Sequence, residues 1–121
     1  MGAKTSFCPR FHHAVELIGR RWTGALIRAL LDGPRRYAEL RDTIPDLTDR
    51  MLSERLRELE AEGIVLRRVV PETPVRVEYQ LTDKGRALQA SIAAISAWAE
   101  KWVPATARAT PAAPSSARGR K

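Results

Sequence analysis

Cysteine is scarce in this sequence, which has only Cys8 among its 121 residues and therefore no internal disulfide framework. Apolar runs are also short, as in residues 64–66, whereas a helix that crosses a bilayer needs roughly 20 apolar residues. The N-terminus lacks the charged region, apolar stretch and small-residue cleavage site of an export signal. From these absences we expect no membrane span and a cytoplasmic location.

Catalytic motifs are missing as well. The sequence has no glycine-rich phosphate loop and no nucleophile elbow, and no serine or second thiol is fixed by spacing beside His12 or His13. These two histidines with Cys8 do not make a metal site, because adjacent helical residues point about 100° apart and the sequence has no further cysteine or histidine. We therefore expect no enzyme, no metal and no cofactor.

The charge is strongly positive, with a net value of +7. Such a balance favours a polyanionic partner, because each basic side chain set against a phosphate releases a counterion. Four of these charges lie in residues 104–121, a segment with three prolines and no aliphatic side chain larger than alanine. The sequence thus predicts a domain over residues 1–103 and a disordered basic tail, rich in proline and alanine, over residues 104–121.

Hydrophobic residues at helical spacing predict four helices before Gly63. Pro9 suits the first position of the first helix, and Gly19 ends it. Residues 22–31 and 37–44 form the second and third helices, and a Pro-Asp pair breaks the chain after the third.

The fourth helix, residues 48–62, is the most informative segment. Thr48 suits its N-cap, and leucines at positions 52, 56 and 59 define a narrow buried stripe. The first turn and the outward face carry side chains that can donate to base edges or accept from them. These candidate DNA-binding residues are Thr48, Asp49, Arg50, Ser53, Glu54 and Arg57.

After Gly63 the hydrophobic period changes to that of strands. Residues 64–70 and 77–81 predict a β-hairpin, and residues 82–103 predict a last helix. A short helix, a break, a polar-faced helix and a hairpin form a winged helix-turn-helix. We therefore predict an α+β, mainly α fold with a two-stranded β-hairpin wing. Three arginines are candidates for phosphate or minor-groove contacts: Arg36, Arg68 and Arg76.

Other interpretations of these residues stay open. The fourth helix holds five acids against three arginines, so Arg55 or Arg57 can instead pair with Glu54, Glu58 or Glu62 on a solvated surface. The wing arginines can be merely exposed. Alternative functions are non-specific DNA binding and a protein-interaction winged helix, and the polar face argues against the latter.

The last helix carries Trp98 and Trp102 one turn apart, a large apolar surface for a small domain. A second subunit is the simplest place to bury it, and an intrachain core is the alternative. Alanines at positions 90, 93, 94 and 97 allow another helix to approach closely.

An extended resemblance adds to this interpretation. It covers residues 8–103, and its marks are Cys8-Pro9, Gly19 with Trp22-Thr23, Leu52-Ser53-Glu54-Arg55-Leu56, Glu58-Leu59, Pro71-Glu72, Val77-Glu78-Tyr79, and Leu81-Thr82 with Gly85. In these positions the sequence resembles the HxlR family of winged-helix regulators, relatives of the MarR group. The resemblance implies a repressor that binds double-stranded DNA at a pseudo-palindromic operator as a homodimer, with the first and last helices across the two-fold axis. The interface candidates are Phe11, Val15, Ile95, Trp98 and Trp102.

Two positions bear on specificity and regulation. Asp49 stands where the family more often has a neutral side chain, a departure that concerns the operator sequence rather than the fold. Cys8 occupies the position at which some family members sense oxidants or electrophiles, and Arg10, the two histidines and the helix N-terminus favour a reactive thiolate there. The resemblance thus implies a small-molecule or oxidant inducer, and an inert buried thiol is the alternative.

Overall fold

The computed structural model describes residues 6–106. Its elements follow in the order α1 (Pro9–Ile18), α2 (Thr23–Leu30), β1 (Arg35–Arg36), α3 (Tyr37–Thr43), α4 (Asp49–Ala61), β2 (Val65–Val70), β3 (Arg76–Leu81), α5 (Asp83–Arg86) and α6 (Gln89–Trp102). The four helices and the hairpin therefore have the predicted order. Within residues 6–106, no helix is both long and apolar enough to cross a membrane. Most of the predicted tail, residues 107–121, lies outside the described residues.

The turn between α1 and α2 has an unusual backbone. Trp22 has a φ of 74°, a left-handed conformation that is rare for a bulky residue and costs about 1–3 kcal/mol. The Arg21 guanidinium carbon lies 5.1 Å from the centroid of the Trp22 ring. The Arg21 carbonyl accepts a hydrogen bond of 2.9 Å from Nε of Arg55 on α4. These contacts stabilise the turn and join it to α4.

The core lies between the helices and the base of the sheet. The predicted stripe on α4 is confirmed, since Leu52, Leu56 and Leu59 are buried, and burial of each such side chain stabilises the fold by about 1.5–3 kcal/mol. Fully buried aliphatic side chains from other elements complete the centre of the core: Leu26, Ile27, Leu40 and Ile64. Because α4 buries only this face, its opposite face remains in solvent.

The sheet has three antiparallel strands in the order β1-β3-β2, so the prediction of a two-stranded wing was incomplete. Arg35 pairs with Tyr79 and Arg36 with Glu78, while Val65 pairs with Leu81 at the other edge. The two-residue strand β1 has no apolar alternation of its own, so the period of the sequence could not indicate it. It ties the segment before α3 to the base of the wing.

The C-terminal helical segment is divided, whereas the sequence predicted one helix over residues 82–103. At the interruption the Leu88 N–H donates to the Gly85 carbonyl, an i to i−3 bond, before α6 begins. Gly85 is packed so tightly that a Cβ atom there would lie 2.4 Å from the Ile64 carbonyl oxygen. This contact holds α5 against the base of the wing, while Ile92 of α6 is buried in the core.

Candidate nucleic-acid interface

The turn between α3 and α4 sets the direction in which α4 leaves the domain. The side chains of Ile44 and Leu47 are buried, and Asp46 between them has a left-handed φ of 68°. Thr48 caps α4 as predicted, because its Oγ1 accepts from the Met51 N–H at 3.1 Å. The hydroxyl proton of Thr48 remains available to donate to a phosphate.

Tyr37, at the start of α3, fixes the first two turns of α4. Its hydroxyl donates to the Asp49 carbonyl at 2.8 Å and lies 2.9 Å from Ser53 Oγ. Because the single tyrosine proton goes to the carbonyl, Ser53 donates to Tyr37 and keeps only lone pairs for other partners. Tyr37 was not among the predicted site residues, because its hydrogen-bond partners lie 12 and 16 residues away in the sequence.

The exposed face of α4 holds the remaining predicted base-contacting residues. The Arg50 Nε donates to the Glu54 carboxylate at 3.2 Å, a pair within one helix. The Asp49 carboxylate lies 3.5 Å from NH1 of Arg41 on α3. Arg57 is exposed and has no hydrogen-bond or ion-pair partner within residues 6–106. Arg50 and Arg57 therefore have no hydrogen bond or ion pair with another element among the described residues.

The opposite edge of α4 is tied to the first helical pair. Arg55, with a side chain only 14% exposed, donates to both oxygens of Glu58 at 3.0 and 3.2 Å. NH1 of Arg20 lies 3.1 Å from the same carboxylate, and His13 Nε2 lies 3.2 Å from that of Glu62. Of the two arginines for which pairing was an alternative, Arg55 is paired and Arg57 is not.

The predicted wing arginines have partners. NH1 of Arg68 donates to the Gln80 amide oxygen at 3.4 Å, and Arg76 lies between Glu72 and Glu78. Neighbouring Arg67 is exposed and has no ion pair among the described residues, and it was not among the predicted contacts. Successive residues of a strand point to opposite faces of the sheet, so the side chains of Arg67 and Arg68 lie on opposite faces of the wing.

Arg36, the third predicted phosphate contact, is the last residue of β1 and the N-cap of α3. Its backbone N–H donates to the Glu39 carboxylate at 2.8 Å. This hydrogen bond lowers the pKa of the Glu39 carboxyl, and the nearby charges of Arg36, Arg35 and Arg76 lower it further. The ionised Glu39 therefore stabilises the start of α3 and lies close to these three arginines.

Cys8 is exposed and caps α1, its Sγ accepting from the Phe11 N–H at 3.4 Å. The alternative of an inert buried thiol therefore does not describe this subunit. The ring of His12 lies 5.4 Å from that of Phe7. Within residues 6–106 no three residues among His, Cys, Asp and Glu are grouped so that they could hold a metal ion.

Helices α1 and α6 each present an exposed apolar stripe. The five predicted interface residues, 48–69% exposed in the single chain, are Phe11, Val15, Ile95, Trp98 and Trp102. The intrachain alternative for the two tryptophans is thus not what the fold uses. The Lys101 Nζ atom lies 5.3 Å from the Trp102 ring centroid.

Comparison with known sequences matches residues 17–107 to the family model described as HxlR-like helix-turn-helix. Two relatives come from Bacillus subtilis (strain 168). The HTH-type transcriptional regulator YvaP is 49% identical over 100 residues, which is 83% of this chain and 93% of YvaP. The HTH-type transcriptional regulator YodB is 50% identical over 97 residues, 80% of this chain and 87% of YodB.

Solved structures are similar over the same region. The reduced form of YodB from B. subtilis is 49% identical, has a TM-score of 0.74 and covers 80% of this chain and 95% of its own. The quinone-bound form of YodB has a TM-score of 0.70 at 45% identity, with coverages of 79% and 100%. The redox regulator HypR in its oxidised form has a TM-score of 0.72 at 41% identity, with coverages of 78% and 96%.

Proposed function

This chain belongs to the HxlR-like helix-turn-helix family and is a DNA-binding transcriptional regulator, not an enzyme, and from that premise we propose that it is a homodimeric, redox- or electrophile-responsive repressor. In this proposal α4 is the recognition helix, and the wing and the start of α3 contact the backbone. The observation that carries it is that Arg50 and Arg57 lie on the exposed face of α4 and have no hydrogen bond or ion pair with another element among the described residues.

The dimensions of α4 suit a major groove. Its 13 residues span about 20 Å, and the groove is about 12 Å wide. Arg50 and Arg57 are the groups that would pair with guanine O6 and N7. Ser53, whose proton is used by Tyr37, would accept from an adenine or cytosine amino group rather than donate. Asp49 and Glu54 would exclude bases that present only acceptors.

Dimerisation follows from the apolar stripes on α1 and α6. Trp98, Trp102 and Phe11 are each more than half exposed, and an aromatic side chain buries about 150–250 Å² when covered. Together they supply a large part of the roughly 800 Å² that each partner contributes to a stable interface. A second copy of this chain is the proposed occupant, since two recognition helices are needed for an operator with two half-sites.

The proposed sensor is Cys8, which is exposed at the start of the same helix that carries Phe11 and Val15. The structures of YodB in reduced and quinone-bound forms, and of the redox regulator HypR in its oxidised form, support this role. An electrophilic quinone would add to the Cys8 sulfur through a ring carbon, and the thiol proton would pass to the quinone. An oxidant would take two electrons and two protons from Cys8 and a second thiol, which is Cys8 of the partner subunit or a small thiol.

The test is a titration of the full chain against a fluorescent duplex from its own upstream region and against a shuffled duplex of equal length. Anisotropy is read at several salt concentrations, under reducing conditions and after treatment with diamide or a quinone. We expect at least about a thousandfold preference for the upstream duplex and affinity that falls with salt. Equal, weak binding to both duplexes would replace operator recognition by non-specific DNA binding.

A further inference from the structure

Glu78 lies at the centre of the wing and is surrounded by arginines. It belongs to β3, the middle strand, so it has one neighbour on each side. Its partner on β1 is Arg36, and its partner on β2 is Arg68. Arg76, two residues earlier on β3, shares its face of the sheet. The three arginines assigned above to backbone contacts are thus neighbours of Glu78 in the sheet, and two of them, Arg68 and Arg76, lie within ion-pair distance of its carboxylate.

The two oxygens of this carboxylate lie near different arginines. Glu78 Oε2 lies 3.0 Å from Arg76 Nε, and Oε1 lies 4.0 Å from NH1 of Arg68. The Arg76 Nε atom is buried and has no hydrogen-bond acceptor among the described residues, so its contact with Glu78 is an ion pair. The Glu78 side chain is only 18% exposed, and its interactions are therefore screened weakly by salt.

A second carboxylate contacts the same arginine in a different setting. Glu72 contacts both outer nitrogens of Arg76: its Oε1 lies 3.1 Å from NH1, and its Oε2 accepts from NH2 at 3.2 Å. Glu72 comes from the connection before β3 and its side chain is 50% exposed, so water and salt screen this pair more than the pair with Glu78, and a phosphate can compete for the same N–H groups. Glu72 can therefore leave Arg76 when a phosphate arrives, whereas Glu78 stays in place beneath it.

Like charges directly opposite each other destabilise a sheet, so three guanidinium groups around one position would repel and spread. We propose that Glu78 is a positioning residue for DNA binding: its carboxylate holds Arg68 and Arg76 in the orientation in which their outer N–H groups meet the phosphate backbone. Glu72 is by contrast a competitor of that backbone for Arg76. The inference rests on the proposed function, because it requires that the wing contacts DNA.

The two carboxylates provide a test, because for Glu78 the loss of negative charge and the loss of arginine positioning predict opposite changes in DNA affinity. Glu78→Gln and Glu72→Gln each remove one negative charge, which by itself strengthens attraction to DNA. We expect Glu78→Gln nevertheless to bind the upstream duplex about three- to tenfold more weakly than wild type, the net effect of losing about one ordinary hydrogen bond to the DNA backbone. Its plot of log affinity against log salt should be shallower by about one, the slope of one phosphate contact. Glu72→Gln should bind as tightly as wild type or more tightly.

Binding by Glu78→Gln that equals or exceeds wild type would overturn the proposal, and so would equal weakening by both variants. Glu78→Asp keeps the charge but withdraws the carboxylate by one methylene, and it covers the case in which Glu78→Gln does not fold. We expect folded Glu78→Asp to bind more weakly than wild type, and unchanged binding would again overturn the proposal. If wild type does not distinguish the upstream duplex from the shuffled one, the proposed function fails, while the salt slopes on either duplex still test the role of Glu78.

Discussion

The Tyr37 hydroxyl of α3 lies 2.9 Å from Ser53 Oγ of α4, while its proton is donated to the Asp49 carbonyl. One phenol thus contacts two successive turns of α4, the proposed recognition helix. It fixes the angle between α3 and α4 and orients a side chain that faces the proposed DNA side. The bond also decides that Ser53 acts as an acceptor.

Tyr37→Phe should weaken operator binding by several fold and lower the free energy of unfolding by about 1 kcal/mol, the net value of a typical hydrogen bond. Anisotropy titration and urea unfolding measure the two effects. Tyr79→Phe is the matched control, since Tyr79 is also half-buried but its hydroxyl has no partner within residues 6–106. Identical behaviour of the two variants would show that the contact with α4 has no role in binding.

Arg57→Gln should reduce affinity for the upstream duplex by at least about tenfold, because a good arginine pair with guanine contributes about 1–3 kcal/mol of discrimination. Binding to the shuffled duplex should fall much less. Arg28→Gln removes the same charge from an exposed, unpaired arginine of α2 outside the proposed interface. An equal loss in both variants would indicate that only net charge matters at position 57.

Cys8→Ser should bind DNA like the reduced wild type, within about twofold, since the hydroxyl can still cap α1. After treatment with diamide or a quinone, only wild type should lose affinity. Mass spectrometry of the treated protein identifies the adduct or the crosslinked dimer. A treated Cys8→Ser variant that also loses affinity would assign the response to another residue.

Trp98→Glu should shift the protein from dimer to monomer, because it places a charge in an interface that would otherwise be apolar. Sedimentation velocity at several concentrations measures this shift. Val75→Glu is the control, since Val75 on the wing is 63% exposed and Trp98 is 60% exposed. If Trp98→Glu sediments as wild type does, α6 is not the dimer contact.

Glu39→Gln should remove a pH dependence of stability. Because the folded pKa of Glu39 lies below its ordinary value of about 4.5, its contribution is present above that pH and is lost as the pH falls through the folded pKa. Wild type should therefore melt at a higher temperature than Glu39→Gln at pH 7, and the two should converge in acid. A constant difference between the melting temperatures from pH 7 to pH 3 would contradict this account.

Local signals predicted most of the fold. The threonine cap of α4, its leucine stripe and the glycine that follows it are set by residues within one or two turns of each other, and all three are present. The division between α5 and α6 was not predicted, because Gly85 of α5 packs against Ile64, a residue distant in sequence that precedes β2. Helical periodicity continues through the interruption and does not reveal it.

In the candidate site, too, local features were predicted and contacts between distant residues were not. The position of Arg50 and Arg57 on the outer face follows from helical geometry alone. The contacts of Arg55 with Arg21 and of Tyr37 with Ser53 join residues 34 and 16 positions apart, and a single sequence carries no signal for such pairs. In the sequence, Glu78 is only one residue of a family motif, because its position among the arginines depends on the register of three strands.

Because Arg50 and Arg57 have no hydrogen bond or ion pair with another described element, they can change with little effect on the scaffold when a new regulator arises from this one. Thr48 caps the helix, Ser53 is bonded to Tyr37 and Asp49 lies beside Arg41, so exchanging any of these also alters the scaffold. Exchanging the two arginines leaves the hydrogen bonds and ion pairs described above between α4 and the other elements in place. After gene duplication, a copy of this chain could acquire a different target through substitutions at those two positions without passing through an unstable ancestor.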